Sequence, residues 1–178
     1  MEPDEALYAR VRRGDMRAFD ELYERYATRL FGFLFSILRS RADAEDVFHE
    51  AFLRALEAGD VDLRPGGFRA WLYRIGRNRA LNVLRSKERG ARAAAALPDA
   101  DTPPRADERI EAREIDAALG GAVARLPPAL LELFQLRSSG LSYEEMAEVL
   151  EIPLGTIKSR MNQMVTVLRE EMKPWTAR

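Results

Sequence analysis

From Leu141 to Arg160 the chain reads LSYEEMAEVLEIPLGTIKSR, and this stretch leaves little choice of local fold. Ser142 is a good helix N-cap, and Glu145 three residues on completes a capping box. Met146, Ala147 and Leu150 then recur at helical spacing. Ala147 is small where a second helix must approach closely. Pro153 lacks an amide hydrogen and biases Ile152 away from helical dihedrals, so Glu151-Ile152-Pro153 ends the first helix. Pro153 is also well placed to begin the next one. In that next helix Ile157, Met161, Met164 and Leu168 form one apolar stripe. Its opposite face carries Thr156, Ser159, Gln163 and Thr166, flanked by Arg160 and Asn162. Such side chains donate to phosphates and read base edges. An ordinary helical hairpin with a solvated face is the alternative. Cap, small residue, proline break and stripe together favour a helix-turn-helix.

The whole chain has 178 residues, enough for one domain or two small ones. Its 47% hydrophobic content excludes a disordered chain. It contains no cysteine, which excludes disulfides and Cys-ligated zinc and fits a reducing compartment. One histidine, His49, leaves little for a metal or catalytic centre, so no cofactor is expected. The longest apolar run, Leu30 to Leu38, includes Gly32 and Ser36 and falls far short of the roughly 20 residues that cross a bilayer. The N-terminus MEPDEALYAR is acidic and lacks a signal-peptide apolar region, so the expected location is the cytosol. No nucleophile–base pair or phosphate-binding glycine loop points to an enzyme.

Net charge is −1, which at first argues against nucleic-acid binding, but the average hides an asymmetry. From Arg64 to Arg92 nine basic residues face one acid, Glu88, a net of +8. From Asp99 to Asp116 seven acids face three arginines, a net of −4. A locally basic element in a neutral protein still supplies phosphate contacts.

Nearly every segment reads as helix, and the fold class expected is all-α. A short piece runs from Asp4 to Arg13, ended by Gly14. A long helix runs from Asp15 to Leu38, with Phe19, Leu22, Tyr23, Tyr26, Leu30, Phe33, Leu34 and Ile37 on its buried side. A third covers Asp43 to Ala58 and stops at Gly59. A Gly/Pro loop reaches Gly67, and a fourth helix runs from Phe68 to about Arg89. The Ala-, Pro- and Asp-rich run that follows reads as a linker of about 18 residues, able to span up to roughly 60 Å when extended. A second unit begins near Ala106, with a helix to Ala124, then Leu126-Pro127-Pro128, a helix ending at Ser139-Gly140, and the helix-turn-helix. The expected division is 1–89, linker 90–105, and 106–178.

Along the fourth helix Phe68, Leu72, Ile75 and Val83 take one side. Trp71, Arg74, Asn78 and Arg85 share an adjacent face about 60° wide at about 100° per residue, with Arg77 at its margin. An aromatic ring beside amides and guanidiniums suits single-stranded nucleic acid: the ring stacks on a base while cations hold the backbone. A half-buried tryptophan amid surface arginines is the plainer account. The helix from Asp43 to Phe52 is acidic on one side and apolar on the other. It is either a solvated face or a docking surface for a basic partner.

Together, AFDELYERY (18–26), DAEDVFHEAFLRAL (43–56), FRAWLYRIGRNRALNVLR (68–85) and LPPALLELFQLRSSGLSYEEMAEVLEIPLGTIKSRM (126–161) resemble the extracytoplasmic-function sigma factors of the sigma-70 family. The match covers about residues 8 to 172. The resemblance implies two small helical domains, a region 2 bundle and a region 4 helix-turn-helix, joined by a flexible acidic linker. Such proteins bind core RNA polymerase through the beta-prime clamp helices and the beta flap. They capture the melted minus-ten element and read the minus-thirty-five element of promoter DNA as duplex. By motif position Asp46, His49, Glu50 and Arg54 would face the clamp helices. The loop from Gly59 to Gly67, with Asp62 and Arg64, would form a pocket for a flipped-out base. Trp71, Arg74, Arg77 and Asn78 would line the path of the opening strand. Thr156, Lys158, Ser159, Arg160, Asn162 and Gln163 would face the upstream major groove. An anti-sigma factor is a further expected partner, and insertion into a membrane is not expected.

The chain departs from the family pattern in three places. His49 stands where glutamine is usual. Asp62-Leu63-Arg64 stands where the loop commonly carries an aromatic. The recognition helix continues Met161-Asn162-Gln163-Met164-Val165-Thr166-Val167 where many relatives have arginines. Losing phosphate-binding cations weakens salt-dependent affinity. Asn and Gln suit bidentate contacts with adenine, so an altered upstream preference is expected. Two other functions fit the motifs less completely: a helix-turn-helix regulator acting without polymerase, and a sigma-like decoy that binds a regulatory partner.

Overall fold

A computed structural model of the chain describes residues 1–58, 67–93 and 118–176, and among these all regular structure is helical. The elements are α1 (Asp4–Val11), α2 (Met16–Leu38), α3 (Arg41–Glu57), α4 (Gly67–Ala93), α5 (residues 118–124), α6 (Pro128–Ser138), α7 (Tyr143–Leu150) and α8 (Leu154–Thr176). The linker expected at 90–105 falls outside the described residues from 94 onward, and residues 90–93 continue α4.

Helix boundaries follow local chemistry. Gly14, at φ 87, turns the chain after α1, and its N–H reaches the Val11 carbonyl at 2.8 Å. Asp15 then caps α2 by accepting from the Arg17 and Ala18 amides. Ser40 caps α3 through the Asp43 amide at 3.4 Å, so this helix starts at Arg41, ahead of the Asp43 start read from the sequence. Between α2 and α3, Arg39 takes left-handed dihedrals (φ 53), closing the first helix without glycine. The start of α4 is tied to α1, since the Glu5 carboxylate accepts the Phe68 N–H at 3.2 Å.

Arg10 bonds Asp15 at 2.7 and 3.0 Å and also pairs with Glu2. The Arg10 hydrogen bond, helped by the Ala18 amide, holds the Asp15 carboxyl below its ordinary range. A folded-state value below the unfolded one contributes stability above about pH 4, and this is lost as pH falls through the folded value. Asp15→Asn keeps a capping acceptor and removes the charge. The melting-temperature gap between wild type and this variant is expected to be widest near neutral pH and to close below about pH 3. A gap that stays constant across pH would contradict the charged cap.

Helices α1 to α4 form one bundle. Its centre holds Leu7, Leu22, Leu30, Phe33, Leu34, Phe68, Leu72 and Tyr73, all essentially inaccessible. Rings meet at its heart, with Phe33 and Tyr73 centroids 5.4 Å apart and Tyr8 and Phe68 at 5.1 Å. Close approach of α4 to α2 relies on Gly76, where an added Cβ would lie 3.2 Å from Leu34 Cδ2. Helices α6 to α8 build the second unit on Leu133, Leu136, Leu141, Met146, Val149, Ile157, Met161 and Met164. The two units also touch. Helix α7 packs on α4 and α6 on α2, so the apolar residues of both make one contiguous cluster. No pattern within a single helix encodes this contact.

Candidate nucleic-acid interface

The helix-turn-helix forms as its residues require. Ser142 Oγ accepts the Glu145 amide at 3.1 Å, and the Glu145 carboxylate accepts the Ser142 amide at 2.7 Å. After Leu150 the chain reverses at Glu151, a non-glycine residue at φ 56 whose N–H bonds the Ala147 carbonyl. The Pro153 carbonyl then accepts the Thr156 amide at 2.9 Å and opens α8. Ile157, Met161 and Met164 are buried against α6 and α7, which fixes the rotation of α8. Lys158, Ser159, Asn162 and Gln163 are consequently exposed, with Thr156 and Arg160 half-buried at the edge. Six side chains read from the sequence thus border one outward face. Thr166, also on that side, turns its hydroxyl inward to the Asn162 carbonyl at 2.9 Å.

On α4, Trp71 is half-buried, its ring 5.5 Å from Tyr8 and 6.0 Å from Phe68. Asn78 is exposed beside it. Arg74 and Arg77 turn toward the second unit. Arg77 forms a fork on Glu132 at 2.7 and 3.3 Å, and Arg74 lies 3.9 Å from Glu148. Further along, Arg79 binds Glu50 at 2.5 Å and Lys87 binds Asp43 at 2.5 Å. Arg69 reaches the Gly140 carbonyl at 3.0 Å and lies 3.8 Å from Glu145. Nothing in the sequence marks Arg69 for this contact, because no helical period points to a partner that lies in another unit. Asp62 and Arg64 lie outside the described residues, as does the loop up to Gly66.

The outer face of α3 carries Asp46, His49 and Arg54 exposed, and Glu50 half-buried between Arg79 and Arg54. His49 stacks on Tyr23, with Nε2 3.3 Å from the hydroxyl. Leu53 lies among them, 56% exposed, an apolar residue in an otherwise polar surface. Its position, seven residues after Asp46 and four after His49, was the signal available for it. The face therefore offers an apolar centre within a charged rim, suited to a protein partner.

Among the described residues no helix is long and apolar enough to cross a membrane. Residues 22–90 match the family Sigma-70 region 2, and residues 116–163 match Sigma-70, region 4. The chain is 33% identical to the RNA polymerase sigma-H factor of Pseudomonas aeruginosa, over 97% of this chain and 95% of that protein. It is 31% identical to the ECF RNA polymerase sigma-E factor of Haemophilus influenzae, over 96% of each. Among solved structures it is similar to CnrH in complex with the cytosolic domain of CnrY. There the TM-score is 0.66 at 26% identity, covering 97% of this chain and 99% of that one. The sigma factor RpoE bound to the anti-sigma factor NepR, from Bartonella quintana, shares the fold at TM-score 0.65 and 23% identity. One matched region falls on the α1–α4 bundle and the other on the second unit, and the chain belongs to the sigma-70 family, in its extracytoplasmic-function (ECF) group.

Proposed function

We propose that the chain is a promoter-specificity subunit that joins core RNA polymerase, reads an upstream duplex element and captures the melted minus-ten strand. The observation that carries this reading is the pairing of two unlike faces in one chain. The outward side of α8 exposes Lys158, Ser159, Asn162 and Gln163, and a helix is an element that a major groove admits. Helix α4 sets Trp71 beside Arg74, Arg77 and Asn78, a ring among cations and an amide, as single strands require. Extruding a base costs a few kcal/mol of stacking, and a shaped pocket returns this only for the right base. Melting thereby becomes sequence selection, and the polymerase does the bond chemistry. The outer face of α3, with Asp46, His49, Glu50, Leu53 and Arg54, is the surface for the clamp helices. An anti-sigma factor is a further partner in this reading, supported by the likeness to a sigma factor bound to NepR.

Run-off transcription tests it, using purified core polymerase and a template library randomised across the upstream element. Wild-type protein is expected to yield transcripts enriched for an element containing adenines. Asn162→Ala and Gln163→Ala should each relax preference at one adenine, by about 1–3 kcal/mol per lost bidentate contact. No transcript from any template would reject the function. An unchanged preference in both variants would reject the assignment of those two side chains.

A further inference from the structure

We propose that the cleft where α2, α4 and the turn after α6 meet is a binding site for a small phosphate-bearing anion, such as pyrophosphate or the phosphates of a nucleotide. The cleft has a volume of about 400 Å³, and Tyr26, Arg29, Arg69, Tyr73 and Ser139 line it. Spaces of this size hold small ligands. Tyr26 and Arg29 lie one turn apart on α2, and Arg69 and Tyr73 one turn apart on α4, so each pair shares a face. The two guanidiniums converge on the turn at Gly140. Arg69 donates to the Gly140 carbonyl at 3.0 Å, and a Cβ added to Gly140 would lie 3.4 Å from Arg29 Nη1. Arginine pairs of this kind grip phosphate oxygens through several parallel N–H bonds.

The cleft has more donors than acceptors. Tyr73 is inaccessible to solvent, and its hydroxyl has no hydrogen-bond partner among the described residues. Burial pushes that hydroxyl above its ordinary titration range, so it remains a donor. A buried donor left without an acceptor is costly, and a bound ion is one of the ordinary ways to satisfy it. Arg29 is exposed and makes no hydrogen bond or ion pair among the described residues. The nearby acids are occupied or out of reach. Asp4 already takes Arg25 at 2.5 Å and the Tyr26 hydroxyl. Glu145 stands 3.8 Å from Arg69, beyond hydrogen-bond length. Glu24, also on the cleft, is exposed to water. A phosphate seated between the two guanidiniums supplies the oxygens they lack, and Tyr73 gains its acceptor as the long Arg29 side chain folds over the ligand. Such a ligand touches α2, α4 and the Ser139 turn at once, so its binding free energy adds to the stability of their packing.

Thermal denaturation of the full-length protein tests this, with inorganic pyrophosphate and ADP as probes and potassium chloride at matched ionic strength as the reference. Each probe is expected to raise the melting temperature saturably, by about 3–6 °C at ten times its dissociation constant. A larger rise with ADP at equal concentration assigns the site to a nucleotide, and an equal rise assigns it to the inorganic anion. Titration calorimetry on variants then locates the site. Arg29→Gln should weaken binding at least about tenfold, the loss of a charged hydrogen-bond donor. Tyr73→Phe should weaken it about two- to tenfold. Without a probe, Arg29→Gln should melt as wild type does, and Tyr73→Phe should melt no lower, because the hydroxyl it removes is unpartnered. Both variants thus report ligand contacts apart from folding. Arg17→Gln, about 18 Å away along α2 and also exposed, is the control for general attraction of anions to arginine and should bind as wild type. No saturable rise with either probe would overturn the proposal. So would unchanged affinity in Arg29→Gln and Tyr73→Phe, or an equal loss in Arg17→Gln.

Discussion

Replacing Trp71 by alanine is expected to separate recognition of duplex DNA from its melting. Stacking of a base on an aromatic ring is worth about 1–3 kcal/mol, so melting should fall roughly 5- to 150-fold. Upstream duplex capture should be unchanged, because the α8 face is built on different side chains. The substitution also removes contacts with Tyr8 and Phe68. The ring is only half-buried, so the stability loss should be about 1–2 kcal/mol, below the range for a fully buried tryptophan. Trp71→Phe keeps a π-face and most of that packing, and should retain most of the melting. Permanganate reactivity of unpaired promoter thymines, with core polymerase and each variant, reads the effect directly. An alanine variant that is folded and melts DNA as wild type does would remove the ring from strand capture.

Leu34→Ala is expected to destabilise the fold by about 2–5 kcal/mol. Leu34 is fully buried where α2 meets α4, and its Cδ2 fills the space that the missing side chain of Gly76 leaves. This predicts a sign change. In wild type Gly76→Ala forces a 3.2 Å contact that Leu34 must relieve by shifting, which offsets the helical preference for alanine over glycine. In the Leu34→Ala background that obstacle is gone. Gly76→Ala should then stabilise by about 0.5–1 kcal/mol, from helix propensity alone. A chemical-denaturation cycle over the four proteins gives the coupling. Strict additivity would mean that α2 and α4 do not meet through this pair.

These two cases show what a linear sequence discloses. The stripe Ile157, Met161, Met164 was readable because burial repeats along a single helix, and the Ser142–Glu145 box because both partners lie within one turn. The same holds for the buried side of α2, although Ala18 and Leu38 join it in the structure and were not picked out. Helix ends were less legible. Ser40 starts α3 early, and Arg39 and Glu151 take positive φ where glycine would be the expected residue. The join between units left no sequence mark. Arg77 and Glu132 are 55 positions apart, and their pairing depends on how two separately readable bundles dock. Type and spacing thus placed the candidate residues of α4 near one face, while the partners they hold in this structure left no mark in the sequence.

Helix α7 packs on both units, so what moves it against one is felt by the other. One side sets Glu145 and Glu148 near α4, while α7 also packs on α8. Ser159, Asn162 and Gln163 remain exposed while Arg74 and Arg77 are engaged. A substitution that shifts α7 on α4 would therefore also shift the seat of α8, and with it the side chains of its outer face.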